Sequence, residues 1–208
     1  MTRFPIASEG WPFILPAFAL VLLCAVLQWR AAAAAAFVLA LFVTWFFRDP
    51  SRQIPADPET LVSPADGRVI EILARPDGST QISIFLSIFN VHVNRSPVAG
   101  EVIDVTRRPG KFLAAWKPEA STDNVQASVT VRTPRGDVRF VQVTGLIARR
   151  IVCALRPGQR VERGERYGMI RFGSRMDIFL PPGAAPAVRV GDRVRGGSDV
   201  IARWRDAA

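Results

Sequence analysis

One histidine, His92, serves a chain of 208 residues, together with only two cysteines, Cys24 and Cys153, and two lysines, Lys111 and Lys117. A lone histidine excludes zinc sites built on paired histidines or on histidine with clustered cysteines, so no metal is expected. Two cysteines in unlike surroundings make no disulfide framework, and nothing requires an oxidising compartment. Pyridoxal phosphate is ordinarily held on a lysine, and the shortage of lysine weighs against it. The 15 glycines and 16 prolines follow no period, which removes collagen-like and low-complexity readings. Acidic side chains are also few, 18 against 27 basic ones, giving a formal charge of +9.

What is present begins with two apolar blocks, residues 11–27 and 31–47, separated by Gln28, Trp29 and Arg30. As helices rising ~1.5 Å per residue, each reaches roughly 25 Å, a little short of the ~30 Å hydrocarbon layer. They have no polar face, which sets them apart from core helices of a soluble protein. The pattern predicts a membrane-associated helical hairpin over residues 1–47. Arg30 would snorkel at its tip, and Arg48 and Arg52 would mark the cytoplasmic face. A rival layout takes Arg3 and residues 13–27 as the start of a secretory signal, but the second apolar block would then remain as an anchor.

Residues 48–208 change character. Segments 81–86, 125–131 and 138–143 alternate apolar and polar residues with β-branched side chains, the period of strands. Turn signals such as Arg75-Pro-Asp-Gly78, Thr133-Pro-Arg-Gly136 and Arg156-Pro-Gly158 separate them. No long amphipathic helix follows Phe47, so the expected fold is mainly β, an antiparallel sandwich or barrel. An internal echo pairs Ser63-Pro-Ala-Asp-Gly67-Arg-Val69 with Ser96-Pro-Val-Ala-Gly100-Glu-Val102. A second pairs Gly158-Gln-Arg-Val161-Glu-Arg-Gly164 with Gly191-Asp-Arg-Val194-Arg-Gly196-Gly197. These hooks resemble those of lipoyl- and biotinyl-type β sandwiches, yet neither lysine stands in the setting a swinging arm needs.

The basic excess suits either nucleic acid or an anionic bilayer, and the apolar hairpin favours the bilayer, at roughly 1 kcal/mol per basic side chain near anionic lipid. For most single arginines an ordinary solvated surface charge is the simpler reading. Taken singly, His92 in a strand is more often structural, Asp66 in Ser63-Pro-Ala-Asp-Gly67 is an ordinary turn residue, and a bare Gly173-Ser174 pair carries little information. Together, an acid, a base and a hydroxyl from separate segments can form a relay.

Four ordered motifs carry a resemblance: Phe46-Phe-Arg-Asp-Pro50, Ser63-Pro-Ala-Asp-Gly67, Phe89-Asn-Val-His-Val-Asn-Arg-Ser-Pro97 and Arg171-Phe-Gly-Ser-Arg175. Their order and spacing resemble those of the phosphatidylserine decarboxylase family, in its short bacterial form. The resemblance implies a zymogen that cuts itself at Gly173-Ser174 into chains 1–173 and 174–208, which stay associated as large and small subunits. It implies a pyruvoyl cofactor derived from Ser174, which takes the substrate amine as a Schiff base and draws electrons from the departing carboxylate. His92 would serve as base in processing and as proton donor afterwards, oriented by Asp66. The implied substrate is phosphatidylserine in an anionic membrane, the product phosphatidylethanolamine, and the place the cell membrane with the catalytic domain, 48–208, on its cytoplasmic face. No nucleic acid partner is implied.

Some positions depart from the family pattern. Phe172 and Arg175 flank the Gly-Ser pair where longer members have leucine and threonine; Phe172 is expected as a wall of the lipid pocket and Arg175 as a partner of an anionic group. Arg95 falls where some relatives have a second histidine. Arg149 and Arg150 are candidates to neutralise the substrate phosphodiester. Two other readings remain open at this point: a membrane-anchored β-sandwich adaptor without catalysis, and a serine hydrolase, which would lack the Gly-x-Ser-x-Gly elbow.

Overall fold

The computed structural model describes residues 5–146, 150–171 and 173–205. The chain divides into two compact units, Met1–Ser51 and Arg52–Ala208. In the first, helix α1 (Trp11–Val26) and helix α2 (Arg30–Phe46) form a hairpin. Its turn is closed by Gln28 in the left-handed region, with the Trp29 amide reaching back to the Cys24 carbonyl at 2.9 Å. The helices meet along Ile14, Cys24, Ala36 and Ala40, while large side chains such as Leu22, Val26 and Val38 stand about two-thirds exposed (66%, 69% and 67%). With the turn of 3-10 helix before it, the apolar stretch Ser8–Val26 has 19 residues and mean hydropathy 1.9. It is the one described helix long and apolar enough to cross a bilayer. The two ends of the hairpin are tied together by the Ala7 amide on the Phe47 carbonyl (2.8 Å) and the Asp49 amide on that of Pro5 (2.7 Å).

The second unit is built from antiparallel strands. In chain order they are β1 (Thr60–Val62), β2 (Gly67–Ala74), β3 (Thr80–Leu86), β4 (Val93–Arg95), β5 (Gly100–Arg108), β6 (Gln126–Thr133) and β7 (Gly136–Val143). Then come β8 (Ile151–Cys153), β9 (Arg160–Val161), β10 (Arg166–Ile170), β11 (Ser174–Leu180), β12 (Ala184–Pro186), β13 (Arg193–Val194) and β14 (Val200–Trp204). One sheet of eight runs β13-β2-β3-β11-β7-β6-β5-β9 and curls into a half-barrel; two sheets of three, β1-β14-β12 and β4-β10-β8, accompany it. The only described helix here is the four-residue α3 (Ala120–Asp123). The alternating segments read from the sequence are β3, β6 and β7, and the glycines of their turns, Gly78 and Gly136, sit at positive φ.

The internal echoes are the two ends of the large sheet. Val194 of β13 pairs with Gly67, and Val161 of β9 pairs with Gly100. The Gly191 amide reaches the Val69 carbonyl at 2.8 Å, and the Gly158 amide reaches that of Val102 at 2.7 Å. The Gly197 and Gly164 amides reach the carbonyls of Ser63 and Ser96, each at 2.8 Å. Even the small turns match: Ser63 Oγ donates to the Ala65 carbonyl and Ser96 Oγ to that of Val98, both at 2.7 Å. Gly158, Gly164, Gly191 and Gly197 all occupy positive φ, which explains their recurrence. Two similar halves thus meet at the β11–β7 pairing.

Strand β11 alternates strictly. Met176, Ile178 and Leu180 enter the apolar core with Ile82, Ile84 and Phe140. Arg175 and Asp177 point the other way into a buried polar ladder. The Arg175 guanidinium donates to Asp177 Oδ1 (2.7 Å), Ser83 Oγ (2.6 Å) and Glu71 Oε2 (2.9 Å). Burial holds the Asp177 carboxyl above the usual carboxylate range; the charge and hydrogen bond of Arg175 and a bond to Ser83 oppose this, and Glu71 adds to it. Replacing Arg175 by alanine leaves that carboxylate buried and unpaired, a loss of about 3–5 kcal/mol. Asp177 would then titrate still higher in the folded state, so the variant keeps most stability at low pH. That stability is lost as pH rises from about 4, the unfolded value, through the folded one. Urea unfolding of Arg175→Ala at about pH 5 and pH 8 should show the larger deficit at pH 8.

Candidate active site

Ser174 opens β11, opposite Leu86 of β3, and the strand alternation turns its side chain to the same face as Met176. It is fully buried, and among the described residues its Oγ has no hydrogen-bond partner. An orphaned hydroxyl in the interior is unfavourable by about 1–3 kcal/mol, and such groups call for a functional account. Gly173 before it has φ 67°, and among the described residues, its chain neighbours aside, no atom lies within 4 Å of where a Cβ would stand. Backbone conformation therefore favours glycine at 173.

The crowding lies on the other side of the peptide. A Cβ on Gly145, two residues past β7, would stand 2.2 Å from the Gly173 carbonyl oxygen. Nothing in the sequence around Gly145 singles it out for this contact.

His92 precedes β4 and is fully buried. Its Nδ1 lies 2.9 Å from the Asn90 carbonyl, an acceptor, which assigns the proton to Nδ1. The lone pair is then on Nε2, which receives the Gly173 amide at 3.3 Å, long for such a bond. The structure thus joins His92 to the Gly-Ser pair across 81 positions of sequence. Asp66 does not supply the orienting bond expected of it. Its carboxylate takes both contacts of Arg52 Nη2, at 2.8 and 2.9 Å, and its Oδ1 also accepts the Gly196 amide at 2.8 Å. The turn residue Asn90, through its main chain, orients the ring instead. A backbone carbonyl leaves no signature in composition. Arg52, expected at a membrane face, is accordingly buried in this ion pair, its side chain 9% exposed. Asp66 and Asn90 line one cleft of about 750 Å³, with Phe85, Phe89, Arg68 and Arg193.

The remaining candidates separate. Arg175 is 1% exposed and meets the protein's own carboxylates, Asp177 and Glu71, rather than an open pocket. Ion pairing on the far face of β11 explains this orientation. Arg150 is exposed and lines an open depression of about 340 Å³ with Arg107 and Arg108. Arg149 and Phe172 lie outside the described residues. Large apolar side chains are exposed on the loops around Gly173: Phe89 (65%) beside the His92 turn, Trp116 (60%) stacked edge-on against Phe85, and Leu146 (60%) after Gly145. This rim was not foreseen, because isolated aromatic residues in loops carry no period.

Comparison with known proteins bears on the same residues. A family model described as phosphatidylserine decarboxylase matches residues 39–202. The phosphatidylserine decarboxylase proenzyme of Pelobacter propionicus is 45% identical, covering 96% of this chain and 96% of its own. The proenzyme of the same description from Nitrosomonas eutropha is 45% identical over 96% of this chain and 95% of its own. That of Burkholderia vietnamiensis is 44% identical over 95% of each.

The left-handed backbone at 173 favours glycine, since the region costs most L-residues about 1–2 kcal/mol, although asparagine also visits it. On the expectation from the resemblance that the chain cuts itself at Gly173-Ser174, Gly173→Asn should still cut and Gly173→Val should remain one chain, as read by denaturing gel and intact mass.

Proposed function

The chain belongs to the phosphatidylserine decarboxylase family, and from that membership we propose that it activates itself at Gly173-Ser174. The family's members are pyruvoyl-dependent lyases made as zymogens; they turn phosphatidylserine into phosphatidylethanolamine and carbon dioxide. The observation that carries the proposed site is the coincidence of three features at one peptide. These are a left-handed Gly173, a buried Ser174 hydroxyl with no hydrogen-bond partner among the described residues, and His92 Nε2 on the Gly173 amide.

In the proposed sequence Ser174 Oγ bonds to the Gly173 carbonyl carbon as the C–N bond breaks, and the hydroxyl proton ends on the Ser174 nitrogen. His92 Nε2 carries that proton, giving up its long contact with Gly173 to do so. Loss of the Ser174 Cα proton then expels the Gly173 carboxylate from Cβ. Water replaces the nitrogen, releasing ammonia and leaving a ketone at the head of chain 174–208. These residues fit the pyruvoyl group: glycine supplies the strained turn and serine the oxygen that can leave. The ketone supplies the electron sink for decarboxylation, a task that needs neither pyridoxal phosphate nor a metal. His92 holds the proton that replaces the lost carboxylate on the product. Asp66 lines the cleft beside the turn whose carbonyl holds the ring, its carboxylate engaged by Arg52 and the Gly196 amide.

The large and small chains remain together because β11 lies between β3 and β7, β13 pairs with β2, and β14 pairs with β1. The apolar rim of Phe89, Trp116 and Leu146 receives the lipid, and Arg150 with Arg107 and Arg108 attracts its phosphate. Arg149 and Phe172 keep the roles their resemblance implies. The helical hairpin holds the enzyme at the cell membrane with Arg48 toward the cytoplasm. The hooks of the large sheet make the fold similar to lipoyl- and biotinyl-type sandwiches, used here as a frame and not as a carrier.

Intact mass of the purified protein tests the proposal. Two chains are expected, the smaller starting at a blocked residue 174, and Ser174→Ala should give one uncut chain. His92→Ala should slow cutting by about 10²–10⁴-fold, the usual range for a positioned general base. A single chain in the wild type that still releases carbon dioxide from the lipid would refute the assignment.

A further inference from the structure

The scissile carbonyl is held by a part of the fold that takes no part in the chemistry just described. Gly145 leaves room for the Gly173 oxygen, which a Cβ at 145 would meet at 2.2 Å. Real Cβ atoms do not approach oxygen so closely, so any other residue at 145 must displace either its own loop or the carbonyl. The loop cannot readily give. A Cβ at 145 would also stand 3.2 Å from the Cβ of Ala115, which is itself buried.

Both walls are pinned by Asn124, which is fully buried. Its Nδ2 donates to the Thr144 carbonyl at 2.8 Å and to that of Leu113 at 2.9 Å, and its Oδ1 accepts the Leu113 amide at 2.8 Å. One side chain therefore binds the residue before Gly145 and the strand of loop leading to Ala115. The Thr144 amide and hydroxyl add bonds to the Val125 carbonyl, each at 3.1 Å. An interior amide with both ends engaged this way loses about 1–3 kcal/mol for each partner left unsatisfied, so the clamp is stiff.

We propose that Gly145, clamped through Thr144 by Asn124, is the positioning residue that fixes the Gly173 carbonyl for attack by Ser174. The proposal rests on self-cutting at Gly173-Ser174. Attack requires the carbonyl carbon to sit within about 3–3.5 Å of Oγ along a defined approach, and a shift of ~1 Å in such an arrangement lowers rates about a hundredfold. Gly145 lies against the oxygen of the reacting peptide, and among the described residues no hydrogen bond runs from it to that oxygen. Asn124 acts only through the backbone it holds.

A matched control exists in the same sheet. A Cβ on Gly100 would stand 2.2 Å from the Arg132 carbonyl, an equal clash. Arg132 lies at the far end of β6 from Gln126, which pairs with Val143 beside Arg175. The experiment follows cutting of full-length wild type, Gly145→Ala, Gly100→Ala and Asn124→Asp by intact mass over time. Folding is checked by circular dichroism, and parallel samples in hydroxylamine capture any ester as a hydroxamate at Gly173. Gly145→Ala should fold, cut about a hundredfold more slowly and yield no hydroxamate, while Gly100→Ala cuts at the wild-type rate even if it melts earlier. Asn124→Asp adds no atom near the carbonyl, removes both Nδ2 donors, and should slow cutting as well. It decides the matter if Gly145→Ala does not fold. Hydroxamate at the normal rate in Gly145→Ala, equal slowing in Gly100→Ala, or wild-type cutting in Asn124→Asp would overturn the proposal. Absence of cutting in the wild type itself would instead strike the self-activation reading.

Discussion

The register of β11 between β3 and β7 is the constraint on which the rest of this structure depends. With Ser174 opposite Leu86 and Ile178 opposite Ile82, alternation sends one set of side chains into the core and the other into the Arg175–Asp177 ladder. A slip of one residue would exchange the sets, burying a guanidinium among Ile84 and Phe140 and turning Ser174 outward. Such an exchange is ruled out on both faces at once, by apolar packing on one and by ion pairing on the other. The serine hydroxyl is consequently interior because of its place in a period of two. No local preference of serine puts it there.

Much of this was legible in the chain, and the reasons differ by feature. Strands β3, β6 and β7 announce themselves because their inner faces are apolar and their outer faces polar. The repeated hooks were visible because each contains glycines at positive φ, and a backbone requirement of that kind recurs whenever the geometry does. The Gly-Ser pair and His92 were legible through motif order. Their contact, the Gly173 amide on His92 Nε2, was not, since it joins segments 81 positions apart. The orienting role of the Asn90 carbonyl was hidden because every residue carries such a carbonyl. Arg175 misled for a related reason: from the sequence its charge is indistinguishable from a surface charge, and only cross-strand pairing with Glu71 and Ser83 reveals it as internal.

The two halves of the large sheet show how one frame acquires a single site. Ser63 and Ser96 close matching turns, and Gly67 and Gly100 accept matching hooks. Yet the first half carries Asp66 where the second carries Ala99, and Gly196 offers its amide to Asp66 where Arg163 stands in the other hook. Arg163 instead binds the carbonyls of Pro55 and Thr60. The symmetry supplies rigidity, and its local failures supply chemistry.

The interior position of β11 has a consequence for how activity is maintained in a cell. A cofactor that diffuses in can be replaced when it is spoiled; one formed from Ser174, as proposed above, would lie at the head of a strand paired on both edges and have no route of exchange. On that proposal each molecule is charged a single time, and a population of working enzyme is renewed only at the ribosome.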